Sequence, residues 1–151
     1  MTSWGFVLAR LVHFVGFTVA IGACVAGLVV MRQSVEEAAH RAGVDRAAAA
    51  IVTAVELPAA FLALLGGIAL IVMLPHVLDP AASGAGPWLH IKLLFVVGAL
   101  VVAHLRMFNL IRLGREPDDA LRKKARTLDV VNLGLYATVL FLVIFRYVLF
   151  A

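Results

Sequence analysis

The sequence predicts an all-α integral membrane protein, a single bundle of four transmembrane helices. Three observations predict it. The 151 residues are 64% hydrophobic and only 15% charged, with a mean hydropathy of +1.04, far above the balance a soluble domain needs. Four stretches, residues 4–31, 47–74, 88–113 and 128–150, are each long and apolar enough to cross a bilayer, which takes about 20 residues. The basic residues gather in alternate connections: Arg32, Arg41 and Arg46 after the first span, Arg112, Arg115, Arg122, Lys123, Lys124 and Arg126 after the third, and none after the second. Under the positive-inside rule both termini and the loop at residues 75–87 face outward, in a bacterium toward the periplasm. The net charge of +4 therefore reads as orientation in a cytoplasmic membrane, with lipid as the partner and nucleic acid excluded.

The first span is expected to be retained, because its apolar run is longer than a signal peptide's and no convincing cleavage site follows. Within it Gly16, Ala20, Ala23 and Gly27 recur at three-four spacing. That stripe of small side chains lets a neighbouring helix or a flat ligand come close. Cys24 is the lone cysteine, which rules out a disulfide framework and reads as a packing residue. Ser34 and Glu37 have capping-box spacing and, with Gly43 as a stop, predict a short helix on the inner surface before the second span. In the second span Pro58 removes a backbone donor and predicts a bend near Glu56, while Gly66 and Gly67 again permit close contact. Asp79, Pro80, Ser83, Gly84, Gly86 and Pro87 make the next connection turn-rich. Pro117, Asp118 and Asp119 read as the start of the helix that becomes the fourth span. Trp4, Trp88 and Tyr147 fall at one level, as an interfacial aromatic belt does. The short connections and small-residue surfaces also leave homo-oligomerisation, or membership of a larger membrane complex, open.

Ionisable residues inside a membrane are costly and point to function. Counting ~1.5 Å per residue from Trp4 and Trp88, Arg10 lies ~9 Å deep, His13 ~13 Å, His90 ~3 Å, Lys92 ~6 Å and His104 ~24 Å. With Arg146 and His76, the outer half collects cations and imidazoles against one acid, Asp79. Glu56 and Asp129, deeper, are expected to pair with Arg32, Arg106 or Arg112 as structural ion pairs. An anionic, metal-centred, flat ligand fits the outer set: haem needs cations for its propionates and an axial base for its iron. On that reading His13 is the first ligand, His90 or His104 the second, Gly16 and Ala20 flank the ring, and Arg10, Lys92 and Arg146 face propionates. The alternative is copper, because His76 follows Met73, and Met107 follows His104, by three residues, and thioether with imidazole suits Cu(I). A third reading is a non-catalytic accessory subunit whose buried charges lock the helices together.

The stretch WLHIKLLFVVGALVVAH (88–104) resembles the third span of the HemJ-type protoporphyrinogen IX oxidases, small four-helix membrane proteins with a W-L-H-x-K signature and a further histidine lower in that helix. LVHFVGFTVA (11–20), ELPAAFLALLGGIAL (56–70) and RTLDVVNLGLYATVLFLVIFRYVLF (126–150) are similar to their first, second and last spans. The chain departs from that family at Ala20, where members carry tryptophan, and at residues 129–132, where they carry Asn-Glu-x-Pro. The resemblance implies a non-covalent haem b on His13, a lysine needed for activity at Lys92, and oxidation of protoporphyrinogen IX to protoporphyrin IX with electrons passed to quinone or the respiratory chain. KLLFVVGALVVAHLRMFNL (92–110) is similar also to the CopD copper-resistance domain, which implies a superfamily holding both.

Overall fold

A computed structural model describes residues 4–33, 38–79, 87–116 and 118–145. Arg146, Tyr147, Ser34, Glu37, Pro80, Ser83, Gly84, Gly86, Pro117 and the side chain of His76, each given a role above, lie outside the described residues. Helix α1 is Trp4–Arg32; α2, Ala38–Ile51, runs through a π-helical turn, Val52–Glu56, into α3, Leu57–Met73; a short 3₁₀ turn, Pro75–Leu78, follows; α4 is Trp88–Leu113 and α5 is Asp119–Ile144. Four membrane-length apolar helices result, the second being the continuous Ala38 to Met73 rod, of which His40–Met73 is the apolar part.

Each start and stop has a local cause. Asp118 caps α5 by accepting from the Ala120 amide at 2.7 Å, as its spacing after Pro117 predicts. The π turn stands just before Pro58: without an N–H, that residue cannot bond back to Ala54 and its ring crowds that carbonyl. The chain widens by one residue instead, the Leu57 amide reaching Val52, as π turns inserted in helices do. The bend expected at Glu56 thus takes the form of a π turn that leaves Glu56 wholly buried.

One expectation is corrected. No separate surface helix ends at Gly43; α2 continues through it, because Asp45 is buried in an ion pair with Arg122 of α5 and Ala48 and Val52 pack in the core. The 34 residues of His40–Met73 would span ~51 Å, so α2 stands proud of the ~30 Å hydrocarbon layer. The helix of the fourth span starts at Asp119, as the Pro117, Asp118, Asp119 run predicts, and is described as far as Ile144, with Phe145 as its cap.

Helix α1 lies along α3, and α4 along α5, the two pairs meeting through α1 and α5. Glycines make the first contact close in both directions. A β-carbon at Gly16 would stand 2.6 Å from the Ala63 nitrogen and 2.7 Å from the Ala59 oxygen; one at Gly66 would stand 2.7 Å from the His13 nitrogen. Such backbone-to-backbone packing replaces hydrophobic burial as the cohesive force in lipid. Leu94 and Val72 are 71% and 73% exposed while Glu56, Arg106, Asp129 and Asn132 are at 0%. An apolar outside with a polar inside is the pattern of a molecule solvated by acyl chains.

Toward the basic end, marked by Arg112, Met31, Val52, Leu57, Leu110 and Leu113 fill the core. Midway, Ala20, Cys24, Ala59, Ala60, Ala99 and Tyr136 form a second layer. Between Leu89 and Ala99, α4 buries no residue fully, so packing is looser toward the Trp88 end.

Candidate functional site

Toward the Trp88 end lie His13 of α1 and Lys92 of α4. The His13 ring is half-buried and its Nδ1 lies 2.6 Å from the Ala63 carbonyl of α3. A carbonyl only accepts, so Nδ1 carries the hydrogen and Nε2 keeps its lone pair. Gly67 makes room for the ring, since a β-carbon there would stand 3.2 Å from Cε1 and from Nδ1; the Phe14 ring meets it edge-on at 5.8 Å. The Lys92 ammonium sits 5.7 Å over the Trp88 ring, a cation–π distance. The exposed Arg10 stacks its guanidinium over Phe14 at 5.8 Å.

The remaining candidates are dispersed. His90 is exposed. His104 bonds within its own helix, Nδ1 to the Leu100 carbonyl at 2.8 Å, and meets Phe61 edge-on at 6.3 Å. The stripe offered to a flat ring is given to protein: α3 covers Gly16 and Ala20, and the Arg106 guanidinium lies over Gly27, 3.1 Å from where a β-carbon would stand. Met73 lays its methyl against Gly5 and Met107 packs on the core near the basic end, as apolar filler does. Among the described residues no three of His, Cys, Asp and Glu converge as a metal-binding group.

A second constellation, deep toward the basic end, is better built. Arg106 is held as a fork: Nη1 donates to Glu56 Oε1 at 3.0 Å, Nη2 to Oε2 at 2.6 Å, and Nε lies 2.7 Å from Asp129 Oδ1. Asn132 Nδ2 donates to Glu56 Oε1 at 2.7 Å. The Cys24 thiol accepts from Arg106 Nη1 at 3.6 Å and faces the Asp129 carbonyl at 3.9 Å. Three of the four spans thus converge on α4's one buried arginine, while Arg32 and Arg112, the other expected partners, are exposed. Asn132 and Tyr136, which sequence reasoning missed, join through spacing: Asp129, Asn132 and Tyr136, at intervals of three and four, share one face of α5.

At the membrane edge a latch ties α2 to α5. Arg122 Nε donates to Asp45 Oδ1 at 3.1 Å, its Nη2 reaches the Arg41 carbonyl, and Arg126 Nε donates to the Met31 carbonyl at 2.8 Å. A shallow cleft of about 170 Å³ opens beside Asp45, Asp118 and Asp119. Replacing Arg122 by alanine strands a buried Asp45, and we expect a loss near the lower end of the roughly 3–5 kcal/mol typical of a broken buried pair, read as a lower midpoint in detergent unfolding.

Set beside protein-family models, curated proteins and solved structures, the chain matches none, so what the site does must be argued from its own residues.

Proposed function

We propose that this chain is a haem b-binding membrane oxidoreductase that acts on a tetrapyrrole, oxidising protoporphyrinogen IX and passing electrons to quinone or the respiratory chain. The single observation that carries the reading is the anchoring of His13. Metal-ligating histidines almost always donate one ring N–H to a carbonyl or carboxylate, which fixes the ring and leaves the other nitrogen as the base. The 2.6 Å contact from Nδ1 to Ala63 is that arrangement. Lys92 and Arg10 supply cations at the same end for propionates, of the cofactor or of the substrate.

The fit to haem is partial. His13 fits as axial base and Lys92 and Arg10 fit as propionate partners; the Gly16 and Ala20 face does not fit the ring, because α3 fills it. His90 or His104 would be the second iron ligand, and Arg146 would be a further propionate partner. Bound haem would supply a one-electron carrier. The chain's own part is to orient substrate carboxylates through Lys92 and to keep the site inside a water-poor bundle. Orientation follows from the basic connections, which put the Arg112 end toward the cytoplasm.

Visible absorption in mild detergent tests this. We expect a Soret band that shifts on reduction, lost in His13→Ala with helicity retained by circular dichroism. Lys92→Ala is expected to keep the band and to lose rescue of a strain lacking its own protoporphyrinogen oxidase. A protein purified from haem-supplemented cells with no band overturns the assignment, and stoichiometric copper in its place would move it to the copper reading.

A further inference from the structure

The buried constellation around Arg106 is short of one positive charge. One guanidinium faces two carboxylates, Glu56 and Asp129, all three at 0% exposure. With every group ionised the sum is +1 − 2 = −1, held in a part of the molecule from which water is excluded. An uncompensated charge there is among the most expensive things a membrane protein can hold. Among the described residues, the charged and titratable groups around Arg106 and Asp129 are Glu56 from the π turn and the Cys24 thiol from α1, with Tyr136 of α5 beside Glu56; none of them supplies a second cation.

The hydrogen bonds show which carboxylate is underserved. Glu56 is saturated: Oε1 accepts from Arg106 Nη1 and Asn132 Nδ2, and Oε2 accepts from Arg106 Nη2. Asp129 accepts no well-aligned hydrogen bond on either oxygen; its Oδ1 lies within ion-pair distance of Arg106 Nε, at 2.7 Å, and its Oδ2 has no partner. On the same face of α5 the Tyr136 hydroxyl lies beside the Asn132 side chain, yet neither it nor Asn132 Oδ1 makes a well-aligned hydrogen bond. Buried acceptors without donors are rare and call for a reason. One added hydrogen answers both deficits, cancelling the surplus charge and turning a carboxylate acceptor into a donor.

We infer that Asp129 is a proton-binding site, its carboxyl carrying an exchangeable proton on Oδ2 while Glu56 stays ionised against Arg106. Loading and unloading that proton switches the buried cluster between neutral and singly negative without moving Arg106 from its fork. The assignment does not depend on haem.

Infrared spectroscopy of the purified full chain in lipid tests it. At neutral pH we expect the carbonyl stretch of a protonated carboxylic acid, shifted down in D₂O and shifted again when aspartate is labelled with ¹³C in its side-chain carboxyl. Asp129→Asn should lose the band and keep the melting temperature, because an amide matches a protonated carboxyl in shape and charge. Glu56→Gln should also lose it, since the remaining Asp129 carboxylate then balances Arg106. Because the isotope test needs no substitution, a variant that fails to fold leaves the prediction standing or falling on the wild type. Absence of the band from wild type across the pH range, its persistence in Asp129→Asn, or its response to labelled glutamate in place of aspartate would overturn the inference. So would a tightly held monovalent metal cation in its stead.

Discussion

Arg106→Leu is expected to cost roughly 3–5 kcal/mol of stability, the penalty for leaving a buried charge without its partner. The substitution removes both guanidinium donors to Glu56 and the contact to Asp129 at once, leaving Glu56 with Asn132 alone, and both carboxylates are at 0% exposure. Combining it with Glu56→Gln should recover most of the loss. A neutral amide in an apolar setting costs far less than a stranded carboxylate, so the two changes are strongly non-additive. Arg106→Lys should fall between, because an ammonium keeps the charge but cannot make the two-pronged bond to Glu56 while also reaching Asp129. Detergent unfolding followed by circular dichroism measures all three. A loss under about 1 kcal/mol, the size of an exposed ion pair, would mean that the cluster is hydrated and that the buried network has been misread.

The second large effect is steric. Gly66→Leu should separate α1 from α3, since even the first side-chain carbon would stand 2.7 Å from the His13 nitrogen and 2.9 Å from the Ala9 oxygen. Those neighbours are backbone and cannot rotate away. Overpacking of a filled interior costs about 1–3 kcal/mol, and here the whole helix pair has to part. The same movement takes the Ala63 carbonyl away from His13 Nδ1, so a His13-dependent absorption band should weaken along with stability. Gly16→Leu should behave alike, meeting α3 at 2.6 Å. Gly22→Ala is the control: its added carbon meets nothing within 4 Å, and the gain in helix propensity of up to about 1 kcal/mol should raise the melting temperature slightly. Equal behaviour of Gly22 and Gly66 would show that α1 and α3 do not pack as described.

The membrane spans were legible in the residues because transfer of apolar side chains into lipid is a local sum over about 20 positions, blind to what lies across the bundle. For the same reason the π turn could be anticipated only as a bend at Pro58: the missing donor is local, but whether the chain kinks or widens depends on what Glu56 has to reach. The start of α5 at Pro117, Asp118 and Asp119 was equally readable, because the groups that set it are neighbours in the chain, Asp118 accepting from an amide two residues away.

Pairing across the bundle is a different matter. Glu56 and Asp129 plainly needed a cation, yet Arg32, Arg106 and Arg112 all lay at plausible depth. Depth follows from position along one helix, whereas facing follows from its rotation, and rotation is set by the neighbours. On α4 the residues Ala99, Ala103, Arg106, Leu110 and Leu113 make the buried stripe, which takes in Arg106 and turns Arg112 outward. His13 shows the same limit, because its partner is a backbone carbonyl 50 residues away, and a carbonyl has no residue type to announce it. The small-residue stripe of α1 could equally have faced a ligand or a helix.

Residue composition alone marked out four helices long and apolar enough to cross a bilayer, and required that polar groups inside them find partners. Packing settled the rest: α3 takes the face of Gly16, Arg106 takes both carboxylates, and the carboxyl of Asp129 and the amide oxygen of Asn132 are left without a well-aligned donor. Solvation is a property of single residues summed along the chain, while partnership depends on which faces four helices turn to one another.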